Sequence, residues 1–336
     1  MMVEKEQFRL ERILSEKREE LSNNQEVEKE VNLNELIERY YVLKNIAYEK
    51  YYPQIQKLYP WYTDHGEKHV ESIMLTLGEM LNQSHGRLNE MEVFILLVAC
   101  IFHDTGMVVS RGGHADNVIE IIKEMKDIIS DISVLRQINE VARAHSSKND
   151  LMAVKCIDSC TFKGIKYAIQ TRALAAMLRL ADDISETRYR IDTNLLDKVP
   201  VENAIFWHYA NAIESVEISM IEMNCKIKVS IPKSILLKEF LYEGESKVFF
   251  EYVLERIEKS YNERVVCSLE FRNIMIISSI QIQIIIMSED LFGCLDEKEF
   301  EINENYFPTM SFKDAFYQKN PDWCLDSLRL KEYMNN

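Results

Sequence analysis

The stretch "EMEVFILLVACIFHD", Glu90 to Asp104, constrains this chain more than any other. A helix built from it is apolar nearly all round, so it has to be buried among other helices. Asn89 stands where a helix N-cap is expected, and the run ends on a histidine followed by an aspartate. Two metal-ligand side chains at the edge of a buried helix raise a question. Does the chain bring companions to the same end?

Helical spacing surrounds this run. Residues 3–30 read as one charged helix with Phe8, Leu10, Ile13 and Leu14 as its apolar spots, either a solvated helix or a docking arm. From Leu33 to Leu58 a helix is expected with Leu36, Ile37, Tyr40, Tyr41, Leu43 and Ile46 at three-four spacing, ended by Tyr59-Pro60. Another covers about 67–83, with Val70, Ile73, Met74, Leu77 and Leu81 on one face. Thr105 to Gly113 reads as a loop, and helices follow at about 114–126, 131–146 and 164–184. Beyond Pro200 the texture changes. "SVEISMIEMNCKIKVSIP" alternates like a hairpin with Asn224 near its turn, "EGESKVFFEYVLERIEKSYNER" is an amphipathic helix, and "NIMIISSIQIQIIIMS" is an Ile-rich strand. With 336 residues two domains are expected, and only 9 Gly and 6 Pro favour a mostly helical fold. The predicted class is mainly α: a charged N-terminal helix (1–32), a helical metal-binding bundle (33–200) and a smaller α+β C-terminal domain (201–336).

Charge and cysteines exclude some classes. The net charge of −15 argues against a long basic groove for extended nucleic acid. Seven cysteines without a CxxC pair read as reduced residues of a cytoplasmic protein. The charged opening "MMVEKEQFRLERILSEKREE" is not expected to act as a signal peptide. Ile274 to Met287 is too short and too polar to span a bilayer, so no membrane is expected.

The companions of His103 and Asp104 then stand out. His69 lies early in its helix in "DHGEKHVESI", His114 opens a helix after "RGG", His145 ends a helix in "VARAHSSK", and Asp182 ends another in "LRLADDIS". Helix ends facing one another are how bundles build metal centres from distant residues. Imidazole nitrogens and carboxylate oxygens without thiolate favour manganese, iron, cobalt, nickel or zinc, with magnesium also admissible. A carboxylate can bridge two ions about 3.5–4 Å apart. Singly, each residue has a plainer explanation. His103 alone is more often a hydrogen-bonded core histidine, Asp104 a turn cap, Asp182 an ion-pair partner, His114 a helix start and His145 a favourable helix C-terminus. Their common position at helix ends outweighs these. His65 shares a helical face with His69, so either could be the ligand, and Asp64 reads as an N-cap. Trp61, Tyr62 and Trp207 are core aromatics before they are base-stacking ones, and His85 and His208 have no companions.

The order H…HD…H…H…D resembles the HD-domain superfamily of metal-dependent phosphohydrolases, over about residues 55–190. The layout is similar to two-metal members such as bacterial diadenosine tetraphosphate hydrolases and cyclic dinucleotide phosphodiesterases. "YTDHGEKHV" and "LRLADDISETRYR" further resemble a bacterial subgroup with an α+β tail, some relatives of which are linked to Hsp90-type ATPases or conflict systems. The GYP-type signature is absent, which argues against cyclic-di-GMP. The resemblance implies one ion on His69, His103, Asp104 and Asp182, and a second on Asp104, His114 and His145. It also implies a hydroxide held between them that attacks a phosphoester or phosphoanhydride of a nucleotide. His65 and Lys68 are then the candidates for protonating the leaving oxygen or for binding phosphate, and Arg179, Arg188 and Arg190 for gripping phosphate. The rival expectations are a nucleotide-sensing regulatory module, a nuclease and a di-iron oxygenase. Residues 1–32 and 201–336 are the candidate surfaces for a second copy or a protein partner.

Overall fold

The computed structural model describes residues 9–82, 87–290, 293–303, 311–331 and 334. Phe8 and His85 lie outside them. The chain divides into two units: Met1–Pro60, Asp64–Ser185 and Val266–Ile276 form the first, and Trp61–Thr63, Glu186–Val265 and Ile277–Asn336 the second.

The first unit is built on helices α1 (Arg9–Asn23), α2 (Val27–Ile46), α3 (Tyr52–Leu58), α4 (Glu67–Leu81), α5 (Glu90–Phe102), α6 (His114–Lys123) and α7 (Ile132–Arg143). A hairpin, β1 (Asp158–Phe162) and β2 (Ile165–Ile169), precedes α8 (Thr171–Ile184). Every residue of α5 is buried. The stretch Glu90–Val108 is long and apolar enough to cross a membrane by composition, but 94% of it is buried among the unit's own elements. That is the burial of a core helix. Its start is fixed by a capping box: the Asn89 side chain accepts from Glu92 N–H at 2.9 Å, and the Glu92 carboxylate accepts from Asn89 N–H at 2.8 Å. The second Glu92 oxygen accepts from Gln170 N–H at 2.7 Å, which ties the start of α8 to the start of α5.

Two expectations need correction here. Residues 3–30 are not one solvated helix, because the chain breaks after Asn23, with Gln25 at φ 58°. Leu10, Ile13 and Leu14 are buried in the unit's core. Glu11, also buried, accepts from Tyr40 Oη at 2.6 Å and Lys44 Nζ at 2.7 Å, holding α1 to α2. The helix expected over 164–184 begins only at Thr171. Lys163 and Gly164, at φ 47° and 85°, make the turn of the β1–β2 hairpin instead.

The second unit contains α9 (Val201–Ala212), β3 (Ile213–Ser219), β4 (Asn224–Pro232), α10 (Lys233–Leu236), β5 (Glu239–Tyr242), β6 (Glu245–Val248) and most of α11 (Phe249–Phe271). β7 (Ser279–Met287), β8 (Cys294–Asn303), α12 (Phe312–Lys319) and α13 (Leu325–Arg329) complete it. The main sheet runs β3-β4-β7-β8, antiparallel except for the parallel β4–β7 pair. Its alternation is that of a sheet with one covered face. Cys225, Ile227, Val229 and Ile231 on β4 and Ile280, Ile282, Ile284 and Ile286 on β7 are buried. Phe300 of β8 packs on Phe316 of α12, ring centroids 5.1 Å apart. Trp207 is core, and its Nε1–H donates to the carbonyl of Trp61 at 2.9 Å.

Candidate metal centre

Five helices and the turn after α5 bring the six predicted ligands together within the first unit. His69 comes from the first turn of α4, His103 and Asp104 from the end of α5, His114 from the start of α6, His145 from just past α7, and Asp182 from the last turn of α8. The residues after Asp104 form a 3-10 turn, Thr105–Val108, not an open loop. Against that turn α6 lies so close that a Cβ on Gly106 would stand 2.0 Å from the His114 carbonyl oxygen. Only glycine allows this approach.

The donor atoms fall into two sets. His69, His103 and Asp182 form one and Asp104, His114 and His145 the other, each with its donors within 4.8 Å of one another. Asp104 joins them. Its Oδ2 lies 3.3 Å from His103 Nε2 and 3.5 Å from His69 Nε2, while its Oδ1 lies 3.1 Å from His114 Nε2 and 3.6 Å from His145 Nε2. Asp182 Oδ1 stands 3.0 Å from His69 Nε2. Two donors bound to one ion at about 2.1 Å, at angles between octahedral and tetrahedral, stand about 3.0–3.4 Å apart. Three of the spacings, 3.0, 3.1 and 3.3 Å, fall in that range, while 3.5 and 3.6 Å and the 3.9 Å from Asp182 Oδ1 to His103 Nε2 lie just beyond it.

The tautomers agree with it at two positions. His103 Nδ1 lies 2.8 Å from the Cys100 carbonyl and His145 Nδ1 2.6 Å from the Ala142 carbonyl. Each carbonyl belongs to the last turn of its helix, where oxygens keep capacity to accept a side-chain donor. A carbonyl only accepts, so each neutral ring donates through Nδ1 and turns a bare Nε2 lone pair to the centre. His145 Nε2 meets His114 Nε2 at 3.0 Å, and His103 Nε2 meets His69 Nε2 at 3.2 Å.

Without a cation the carboxylates draw a proton onto His103 instead, and an ion bound there would take that proton's place. Burial disfavours a charged His103, but Asp104 and Asp182 outweigh it and hold its pKa up at about 9. Burial, with positive charge at His103, pushes His145 down to about 4. Burial also opposes ionisation of Asp104 and Asp182, yet the imidazoles hold both well below the usual carboxylate range. Two ionised carboxylates among imidazoles suit a cation. The donor set therefore fits divalent ions.

Among the other predicted residues, His65 is half-buried one turn before His69, with ring centroids 5.8 Å apart. Lys68 is exposed, and its N–H donates to Asp64 Oδ2 at 3.1 Å. Asp64 Oδ1 also accepts from Gly66 N–H at 2.6 Å, so Asp64 caps α4. Arg179 is buried on α8 and donates to the Asn149 carbonyl. Arg188 and Arg190 belong to the second unit, where Arg188 donates to the Asn211 carbonyl and Arg190 is buried. One residue beside the centre escaped the sequence reading: Arg111 Nη1 lies 3.1 Å from His114 Nδ1. Its position three residues before a helix-opening histidine was the only available signal.

A helical unit that gathers histidines and aspartates in this order and geometry defines an HD-type domain. More narrowly, the family model described as HD-CE matches residues 59–259, more than half of the chain, and the chain belongs to the HD-CE family. No curated protein and no solved structure matches it.

Proposed function

We propose that this protein is a metal-dependent phosphohydrolase holding two divalent transition-metal ions and acting on a phosphoester or phosphoanhydride of a nucleotide. The observation that carries this reading is the division of one carboxylate between two imidazole pairs. Asp104 turns Oδ2 to His103 and His69, and Oδ1 to His114 and His145. His69, His103, Asp104 and Asp182 would hold one ion, and Asp104, His114 and His145 the other. Bound there, the ions would supply Lewis acidity toward phosphoryl oxygens and an activated water.

The chain's own groups do the rest. His103 and His145, each fixed by a carbonyl, keep their lone pairs directed without reorganisation. Buried surroundings strengthen these interactions relative to water. Solvent reaches the centre at His114 and Asp182, whose side chains are 14% and 25% exposed against 7% or less for the other four ligands. That is the side from which a substrate would arrive. His65, one turn before His69, is the candidate to protonate the leaving oxygen, and Lys68 and Arg179 are candidate phosphate contacts.

The test is metal content of protein purified without chelator, with phosphate or nucleoside release from a nucleotide panel in added manganese. Two ions per chain, and turnover lost in Asp104→Ala, is the expected result. Metal without turnover on any nucleotide would move the reading to a nucleotide sensor or an oxygenase, and no bound metal would refute it.

A further inference from the structure

The second metal site contains an internal contradiction. His103 and His145 follow helix C-termini, and a carbonyl three residues back in the last turn stands behind each ring. His114 opens α6 instead, and the carbonyl three residues before it belongs to the glycine loop and not to a helix end. Its Nδ1 lies 3.2 Å from the carbonyl oxygen of Arg111 and 3.1 Å from Nη1 of the same residue. A carbonyl can only accept and a guanidinium can only donate, so the two contacts require opposite tautomers. With the guanidinium donating, the ring proton sits on Nε2, which then donates to Asp104 Oδ1 at 3.1 Å. In that state Nε2 has no lone pair to offer. With the guanidinium turned away, Nδ1–H donates to the carbonyl and Nε2 becomes a ligand.

We propose that Arg111 is a positioning residue that sets the tautomer of His114, leaving the second metal site weak until an anion draws the guanidinium away. This rests on the two-metal phosphohydrolase reading, the anion being the phosphoryl group of the substrate. The surroundings suit such an exchange. Arg111 is exposed, and the residues after it are Gly112 and Gly113, the latter at φ 75°. The loop backbone is itself held: the Ser110 hydroxyl donates to the Gly112 carbonyl at 2.7 Å and accepts from Asn117 Nδ2 at 2.9 Å. Only the side chain has to move. A phosphoryl group offers a guanidinium two charge-assisted hydrogen bonds, each stronger than the one it donates to a neutral imidazole nitrogen. Substrate arrival and completion of the second site would then be coupled, each favouring the other to the same degree.

Long-range 1H–15N correlation spectra of the metal-free full chain read the tautomer directly, with His114 assigned by comparison with His114→Asn. His114 is expected to be protonated on Nε2 in the wild type and on Nδ1 in Arg111→Ala. Manganese titration by calorimetry, in phosphate-free buffer, should show the second ion at least about tenfold tighter in the variant and the first unchanged. Arg111→Met keeps the alkyl stem and should behave as Arg111→Ala, separating loss of the guanidinium from loss of packing. An unchanged tautomer, or a second-ion affinity within about twofold of wild type in both variants, would overturn the proposal. Absence of manganese binding altogether would sink the two-metal reading, and the spectra would still decide whether Arg111 sets the tautomer.

Discussion

The substitution Gly106→Ala tests the link between backbone packing and the metal centre. A Cβ at this position would stand 2.0 Å from the His114 carbonyl oxygen and 2.7 Å from Val118 N–H nitrogen, where real Cβ contacts essentially never fall under 3.0 Å. The first turn of α6 therefore has to retreat by about 1 Å, the difference between those distances. Ligand positions at a metal tolerate only about 0.2 Å. A retreat of that size carries His114 out of reach while His69, His103 and Asp182, on other elements, stay in place. Overpacking of this kind also costs about 1–3 kcal/mol of stability. On the proposed two-metal reading, the expected result is a fall from two ions to one by elemental analysis after dialysis, with a melting point lower by several degrees. Gly112→Ala is the control, since nothing lies within 4 Å of a Cβ there, and it should keep both ions. If Gly106→Ala retained both ions at wild-type affinity and melted with the wild type, the close approach of α6 would not be what positions His114.

Further outcomes can be checked separately. Asp182→Asn should lose the ion on His69 and His103 and retain the other, and His145→Gln should do the reverse; two ions in either variant would contradict the division of donors. Asn89→Ala removes one half of the capping box on α5 and should cost about 1 kcal/mol in urea unfolding. His208, pushed down to about 4 by burial and by Lys238, makes the second unit acid-sensitive. Its folded pKa lies below the unfolded value of about 6.5, so its contribution is present above pH 6.5 and lost as pH falls toward 4. Because the ring is partly exposed, the loss at pH 5 should be about 1–2 kcal/mol. His208→Leu should flatten the pH dependence of unfolding over that range, and an equally steep dependence in the variant would assign it elsewhere.

The sequence was most legible where one residue type at one place admits few uses. Asn89 before an apolar run was readable as a cap, and the histidines at helix ends as one cluster. Both depend on local spacing. The β1–β2 hairpin was hidden because "GIKYAIQ" joins "TRALAAMLRLADDIS" without an apolar or polar break, and only the positive φ of Lys163 and Gly164 marks the turn. The burial of α1 was hidden for a different reason. Its charges dominate its composition, and the groove for Leu10 beside Gly78 of α4, where a Cβ would meet the Leu10 backbone nitrogen at 3.2 Å, is a tertiary fact. Arg111 beside His114 was hidden because arginine in a glycine loop is unremarkable until the ring nitrogen it contacts is known.

The placement of the ligands also bears on the timing of folding. They are drawn from residues 69 to 182 and from five helices, so the complete donor set exists only once α4 to α8 have docked. Contacts of such long sequence separation form late, after the entropy of closing the intervening loops has been overcome. An ion at this centre would therefore stabilise the native state more than the transition state. Its effect would be to slow unfolding and leave the folding rate nearly unchanged, as a clasp does that closes last and must be opened first.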